Sequence, residues 1–208
     1  MNARSTARGR PRAISRAMLQ EAAFELFLEL GYDGTTVNEI TQRAGVSRGT
    51  FFNNFAAKSD VFWVDLDDSI DALADALGQV PATSVPDAVA VVANTLVHLG
   101  RGYGAARVPW ALTQSEFIGA EQELQASALS RFVRLTSVVT RFIRRQHPDV
   151  AELRARTAAY AMAGAVVAAA QEWAAAGSTR GDLASYLQSA LDPVVAGFGL
   201  GVHGIGPD

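Results

Sequence analysis

Along ISRAMLQEAAFELFLELGY, residues 14–32, Leu19, Ala23, Leu26 and Leu30 recur at steps of four, three and four, and Ala22 and Phe27 widen the stripe. That is one face of an α-helix, and Gly31 stands where a helix ends on a residue tolerant of positive φ. A short second helix is predicted to open at Thr36, because Thr36 and Glu39 have the spacing of a capping box ahead of Ile40 and Ala44. In TQRAGVSRGTFFNNF, residues 41–55, Gly45 ends that helix, Val46 fills the angle after it, and Ser47 can accept a backbone hydrogen bond at the start of a third. A helix over 47–54 is roughly 12 Å long at about 1.5 Å per residue, which suits a B-DNA major groove about 12 Å wide. Its start exposes Arg48, Gly49 and Thr50, while Phe51 and Phe55, four apart, share a face predicted to pack on the first two helices.

The pattern stays helical to the end of the chain. SDVFWVDLDDSIDALADALGQV, residues 59–80, is amphipathic from an expected Ser59 cap through Val61, Val64, Leu66, Ile70, Leu73 and Leu77. Its acids Asp65, Asp67 and Asp68 are read as a solvated face; DNA would repel them, so this helix should lead away from a duplex as a connector. Pro81 and Pro86 mark a break, and further helices are predicted over 87–101, 110–128, 129–146, 150–176 and 182–196. The fold class is therefore all-α: a three-helix helix-turn-helix domain followed by a helical bundle. GRGYGAARVP, residues 100–109, reads as a loop. It lacks the strand and the lysine-serine or lysine-threonine pair of a nucleotide cradle. The organisation expected is a flexible basic arm over 1–13, a helix-turn-helix domain over 14–58, a connector with a ligand-binding and dimerisation domain over 59–198, and a flexible tail over 199–208.

Charge sharpens this picture. The net charge of −3 hides a polarity: residues 1–58 hold 8 Lys/Arg against 5 Asp/Glu, residues 59–208 hold 10 against 16. Arg4, Arg8, Arg10, Arg12 and Arg16 precede the first acid, as in a basic arm lying along a phosphate backbone or in a solvated tail. The chain has 208 residues, no cysteine and three histidines far apart, so disulfides, thiolate chemistry and a histidine-rich metal site are not expected. No cofactor is called for. The most apolar window, Thr157 to Gln171, falls short of the roughly 20 residues that span a bilayer, and no signal-peptide pattern appears, so a cytoplasmic, nucleoid-associated protein is expected. No nucleophile elbow, zinc-binding histidine pair or dinucleotide fingerprint points to an enzyme.

GYDGTTVNEITQRAGVSRGTFFNNFAAKSDVF, residues 31–62, with GRPR at 9–12, resembles the DNA-binding domain of TetR-type transcriptional regulators. The resemblance implies an all-helical homodimer with a fourth helix as connector and a C-terminal bundle that binds a small effector. It places Arg10, Arg12, Thr35, Thr36, Ser47, Arg48, Gly49, Thr50, Asn53, Asn54 and Lys58 at DNA. Lys58, the sole lysine of the chain, would meet a phosphate. The family usually has tyrosine at the position of Phe52 and histidine or tyrosine at that of Asn54. Phe52 cannot donate to a phosphate, while Asn53 could pair with adenine if it faces the groove.

In the family the last two helices form the dimer interface. Here Gly164 within TAAYAMAGAVVAAAQEW would allow close helix approach, and Leu183, Leu187, Leu191 and Val194 mark a stripe that the chain's own bundle could also absorb. A two-fold dimer implies a palindromic double-stranded operator. Trp63, Trp110, Phe117, Phe132 and Phe142 are candidates for pocket walls or for plain core. KSDVFWVDLDD and AAAQEWAAAG also look similar to a mycofactocin-regulator-like branch associated with acyl-CoA-like effectors, which implies a small hydrophobic effector, acyl-CoA-like or aromatic. The function expected is a ligand-responsive repressor. The rival is a helical interaction module that never binds DNA specifically.

Overall fold

A computed structural model describes residues 10–83, 85–104, 109–113 and 121–198, without the side chains of residues 10–15, 110, 113 and 121. The described residues are all-α, with no strand among them: α1 Arg10–Gly34, α2 Val37–Arg43, α3 Arg48–Asn54, α4 Val64–Gln79, α5 Ala88–Gly100, α6 Trp110–Thr113, α7 Glu121–Gln146, α8 Glu152–Ala175 and α9 Leu183–Phe198, with 3₁₀ turns at Lys58–Trp63 and Gly177–Thr179. They group into two compact units. One holds the chain up to Val64 together with the start of α7 as far as Ser127; the other holds Asp65–Thr113 and everything from Ala128 onward. The first helix begins at Arg10, inside the segment read as an arm.

The N-terminal unit is organised by local rules that the sequence displays. Gly31 leaves the helical region at φ 75°, so the regular part of α1 ends there and one further turn leads to α2. Thr36 and Glu39 form the full capping box, and Gly45, at φ 66°, makes the sharp turn toward α3 that a side chain would strain. Most of the apolar stripe of α1 is buried, with Leu19, Ala22, Ala23, Leu26 and Phe27 in one core with Ile40, Phe51, Phe55 and Phe62; Leu30, expected to continue the stripe, is instead exposed next to the turn at Gly31. Phe27 stacks on Phe62 at 5.1 Å and meets Tyr32 at 5.3 Å, aromatic contacts that add to the area they remove from water. Arg43 ties α2 to α1 through a two-bonded pair with Glu29, 3.0 and 2.8 Å, and a bond to Glu25 at 3.1 Å. The Arg43 guanidinium holds the Glu29 carboxyl below the ordinary carboxylate range.

The C-terminal unit packs α8 on α9 and α5 on α9. Small residues permit this: Ala155, Ala158, Ala159 and Ala163 of α8 are buried, as is Ala184 of α9. Three expectations are corrected. The break predicted at 128/129 is absent, and α7 runs unbroken because Leu135, Val138, Val139, Phe142 and Ile143 continue its buried face. Ser59 caps no helix; it is buried and paired with Tyr32, and the Asp60 carboxylate takes the Ala56 and Ala57 N–H groups at 3.0 and 2.9 Å instead. The acids of α4 are not simply solvated: Asp67 binds Arg131 at 3.0 Å and Arg134 at 3.5 Å, and Asp71 also binds Arg134. Within the chain a close helix approach falls at Gly100. A Cβ at Gly100 would lie 2.6 Å from Leu187 Cδ1 and 3.2 Å from the Ala184 backbone, whereas one at Gly164 would meet nothing within 4 Å.

Gly100→Val therefore overpacks the α5–α9 contact and is expected to cost about 1–3 kcal/mol in a urea melt; an unchanged midpoint would contradict this packing.

Candidate nucleic-acid interface

The candidate interface is built around α3. Ser47, in an extended conformation, accepts from the Thr50 N–H through its hydroxyl at 3.1 Å and its carbonyl at 3.0 Å, and its hydroxyl lies 2.9 Å from the Thr50 hydroxyl, so side chain and backbone together cap the first turn. Val46 N–H reaches back to the Thr41 carbonyl at 3.0 Å and closes the turn between α2 and α3. On the inner side Phe51 and Phe55 are buried against one another at 5.3 Å. The outer face presents Arg48, Gly49, Phe52 and Asn53, all exposed, with Ser47 beside them. Asn54 is half-buried and donates its amide to the Thr50 carbonyl at 2.7 Å, so part of its hydrogen-bonding capacity is spent inside the helix.

The other residues expected at DNA divide sharply. Thr36 is exposed at the start of α2, its hydroxyl 2.8 Å from the Glu39 carboxylate. The bonds from Thr36 hold that carboxyl below its ordinary range. Thr35 is a correction: it is 1% exposed, and its hydroxyl donates to the Gly31 carbonyl at 2.9 Å, so it props the turn and offers no side chain to a phosphate. Lys58 has a role the sequence did not disclose. Its ammonium donates to the Tyr32 carbonyl at 2.6 Å and the Thr35 carbonyl at 2.7 Å and sits 3.9 Å from the Tyr32 ring centroid. Burial pushes its pKa down, and the Asp33, Glu123 and Glu39 carboxylates pull it back up. Two of its three donors are thus spent joining the α1–α2 turn to the chain leaving α3, and one is left for a phosphate. The side chains of Arg10 and Arg12 lie outside the described residues.

Phe52 is the residue that sequence reasoning undervalued. It is 48% exposed, and the Arg48 guanidinium lies over its ring at 5.5 Å from the centroid. The spacing of four residues between them was the available signal.

Of the candidate pocket aromatics described in the C-terminal unit, neither Phe132 nor Phe142 is among the lining of the cavity found there. Phe142 is buried in the core of the C-terminal unit and Phe132 packs edge-on to Tyr160 at 5.5 Å. In the N-terminal unit the Trp63 indole donates to Ser127 at 2.7 Å. The Trp110 side chain and Phe117 lie outside the described residues. A cavity of about 420 Å³ in the C-terminal unit is lined instead by Leu112, Gln171, Ala174, Ala175 and Arg180. Among the described residues there is no group of three or more His, Cys, Asp or Glu that could hold a metal ion, and no helix long and apolar enough to cross a membrane.

A capped helix-turn-helix whose third helix carries an exposed, arginine-led face defines a DNA-binding protein. Residues 19–62 match the profile of the bacterial regulatory proteins of the tetR family, and residues 86–199, more than half of the chain, match that of the MftR C-terminal domain. The chain belongs to the tetR family, with a C-terminal domain of the MftR type, and is a transcriptional regulator. It is 24% identical over 200 residues to MftR of Mycobacterium tuberculosis, a regulator assigned to mycofactocin biosynthesis, covering 91% of this chain and 93% of that one. The fold is shared with Thermus thermophilus FadR, a repressor solved in complex with lauroyl-CoA, at TM-score 0.55, 24% identity and coverage of 93% and 99% of the two chains. It is shared equally with SmeT, the repressor of a multidrug efflux pump of Stenotrophomonas maltophilia, at TM-score 0.55, 20% identity and coverage of 93% and 96%. The family is one of regulators rather than enzymes; its members bind DNA and small effectors and act as dimers.

Lys58→Ala strips the Tyr32 and Thr35 carbonyls of a donor and is expected to lower stability by about 1–3 kcal/mol in a chemical melt followed by Trp63 fluorescence; an unaltered melt would show that the ammonium holds nothing together.

Proposed function

We propose that this protein is a dimeric repressor that binds a palindromic operator in cytoplasmic DNA through α3 and releases it when a small amphipathic effector occupies the C-terminal unit. The observation that carries the reading is the outer face of α3, where Arg48, Gly49 and Asn53 stand exposed on a helix whose other side is fixed in a core. In this reading Ser47, Thr36 and the remaining Lys58 donor are phosphate contacts flanking it, and Arg10 and Arg12, in the first turn of α1, reach the backbone. Thr50, half-buried, completes the cap.

Dimerisation is assigned to the last two helices. On α8, Leu153 is 77% exposed and Tyr160 and Val167 are each 45% exposed, with exposed Gly164 between them on the same side. Leu187 and Leu191 of α9 are buried in the chain's own core, so the outward side of α8 is the surface left for a second copy. A two-fold arrangement sets the two α3 helices about 34–36 Å apart, one turn of B-DNA.

The effector reading rests on the 420 Å³ cavity and on likeness to a repressor that binds lauroyl-CoA. Arg180 lies at its wall. Its guanidinium packs on the Trp173 ring at 5.6 Å and donates to the Ala174 carbonyl at 3.1 Å, while its buried Nε has no hydrogen-bond partner. A cation beside Leu112, Ala174 and Ala175 fits a ligand with an acidic head and an apolar body, the chemistry of a fatty acyl-CoA.

Gel-shift titration against the DNA beside its own gene, at two salt concentrations, tests the whole reading. Saturable binding with a steep salt dependence is expected. Arg48→Ala should lose about 1–3 kcal/mol and relax base preference, and added acyl-CoA should release the DNA. Salt-insensitive binding, equal for both proteins, or release by polar metabolites but not by acyl-CoA, would contradict it.

A further inference from the structure

We infer that Arg48 and Phe52 form one base-reading unit, the guanidinium taking a guanine and the phenyl ring the methyl group of a neighbouring thymine. This rests on α3 being the DNA-reading helix and goes beyond it by naming the bases. Phe52 follows Arg48 by four residues, so the two project about 40° apart around the helix, on the exposed side that adjoins the buried Phe51. Nearly half of the Phe52 surface is open, and none of the packing that buries Phe51 and Phe55 accounts for it. The ring is nonetheless fixed: Phe51 meets it edge-on at 5.4 Å and 79°, and Arg48 covers it at 5.5 Å.

The chemistry of the groove supplies the partner. A phenyl ring offers neither donor nor acceptor, so in the major groove it gains only from an apolar group, and the one such group on a base edge is the thymine C5-methyl. Arg48, held against the ring by cation–π attraction, keeps its planar N–H fork directed outward, and guanine O6 and N7 are the acceptor pair that matches a fork. Gly49, without a side chain, leaves room between the two for close approach of the groove. A tyrosine here would carry a phenolic hydroxyl able to bond a phosphate. Its loss in Phe52 exchanges a position-independent contact for one that discriminates between bases.

The test starts from operators selected out of random duplexes by the wild-type protein, whose half-sites are expected to carry guanine next to thymine. Each thymine is then replaced by deoxyuridine, which removes the methyl alone. One replacement in a single half-site should weaken wild-type binding roughly fourfold, the fold-change that corresponds to about 0.8 kcal/mol for one buried methyl-sized group. Phe52→Ala should bind more weakly and be indifferent to that replacement, and Phe52→Leu should remain sensitive. Thermal melts of both variants verify folding, and the wild-type deoxyuridine series stands without them. Indifference of the wild type to every deoxyuridine, or an undiminished methyl effect in Phe52→Ala, would overturn the assignment while leaving α3 as the reader. A selection without enrichment would overturn the reading of α3 itself and this assignment with it.

Discussion

The N-terminal unit depends on where one ammonium group goes. The turn between α1 and α2 leaves the Tyr32 and Thr35 carbonyls facing inward, and Lys58, twenty-three residues beyond Thr35, supplies donors to both. A buried carbonyl without a donor carries a desolvation penalty, and no neutral side chain of similar reach could serve two acceptors while also lying against the Tyr32 ring. The bond fixes the chain leaving α3 against the end of α1. It lies next to the buried side of α3, where Phe51 and Phe55 are fixed in the core and leave the opposite side outside. Nearby, Gln20 donates to the Val61 carbonyl at 2.9 Å and Asp60 closes the 3₁₀ turn, so the segment after α3 is held at several points.

The C-terminal unit is built on close approach rather than on large side chains. Alanines on α8, Ala184 on α9 and Gly100 on α5 let helix backbones come near, so each added methyl there is felt. Charge does a different task in the same unit. Arg131 is buried with Asp67, and Arg134 reaches both Asp67 and Asp71, which ties α4 to α7. Removal of Asp67 would take a carboxylate from the buried Arg131 guanidinium, a larger loss than removal of Asp71 from the exposed Arg134.

Legibility in the sequence followed distance along the chain. The stripe of α1, the Thr36–Glu39 box, the Ser47 cap and the turn at Gly45 each depend on residues no more than four or five apart, and each stands as expected except that Leu30, at the end of the stripe, is exposed. What could not be read depends on long-range partners. Lys58 reads as a free cation until Tyr32 and Thr35 are brought beneath it, and Asp67 reads as a solvated acid until α7 delivers Arg131. Thr35 is a local exception: its partner, the Gly31 carbonyl, is four residues away, yet the threonine is buried by the core packed around that turn. Gly164 and Gly100 look alike in helices rich in small residues, and only the position of α9 separates the one in contact from the one in the open. The unbroken span of α7 was missed because no local signal at Ala128 or Leu129 distinguishes a junction from a continuing exposed face.

The outward face of α3, led by Arg48, is the centre of the mechanism. Guanine N7 protection from dimethyl sulfate on a bound operator probes that face directly, because N7 lies in the major groove. Two protected clusters about 10 base pairs apart are predicted, one for each copy of α3. Saturable binding that leaves every N7 reactive would mean that α3 does not enter the groove.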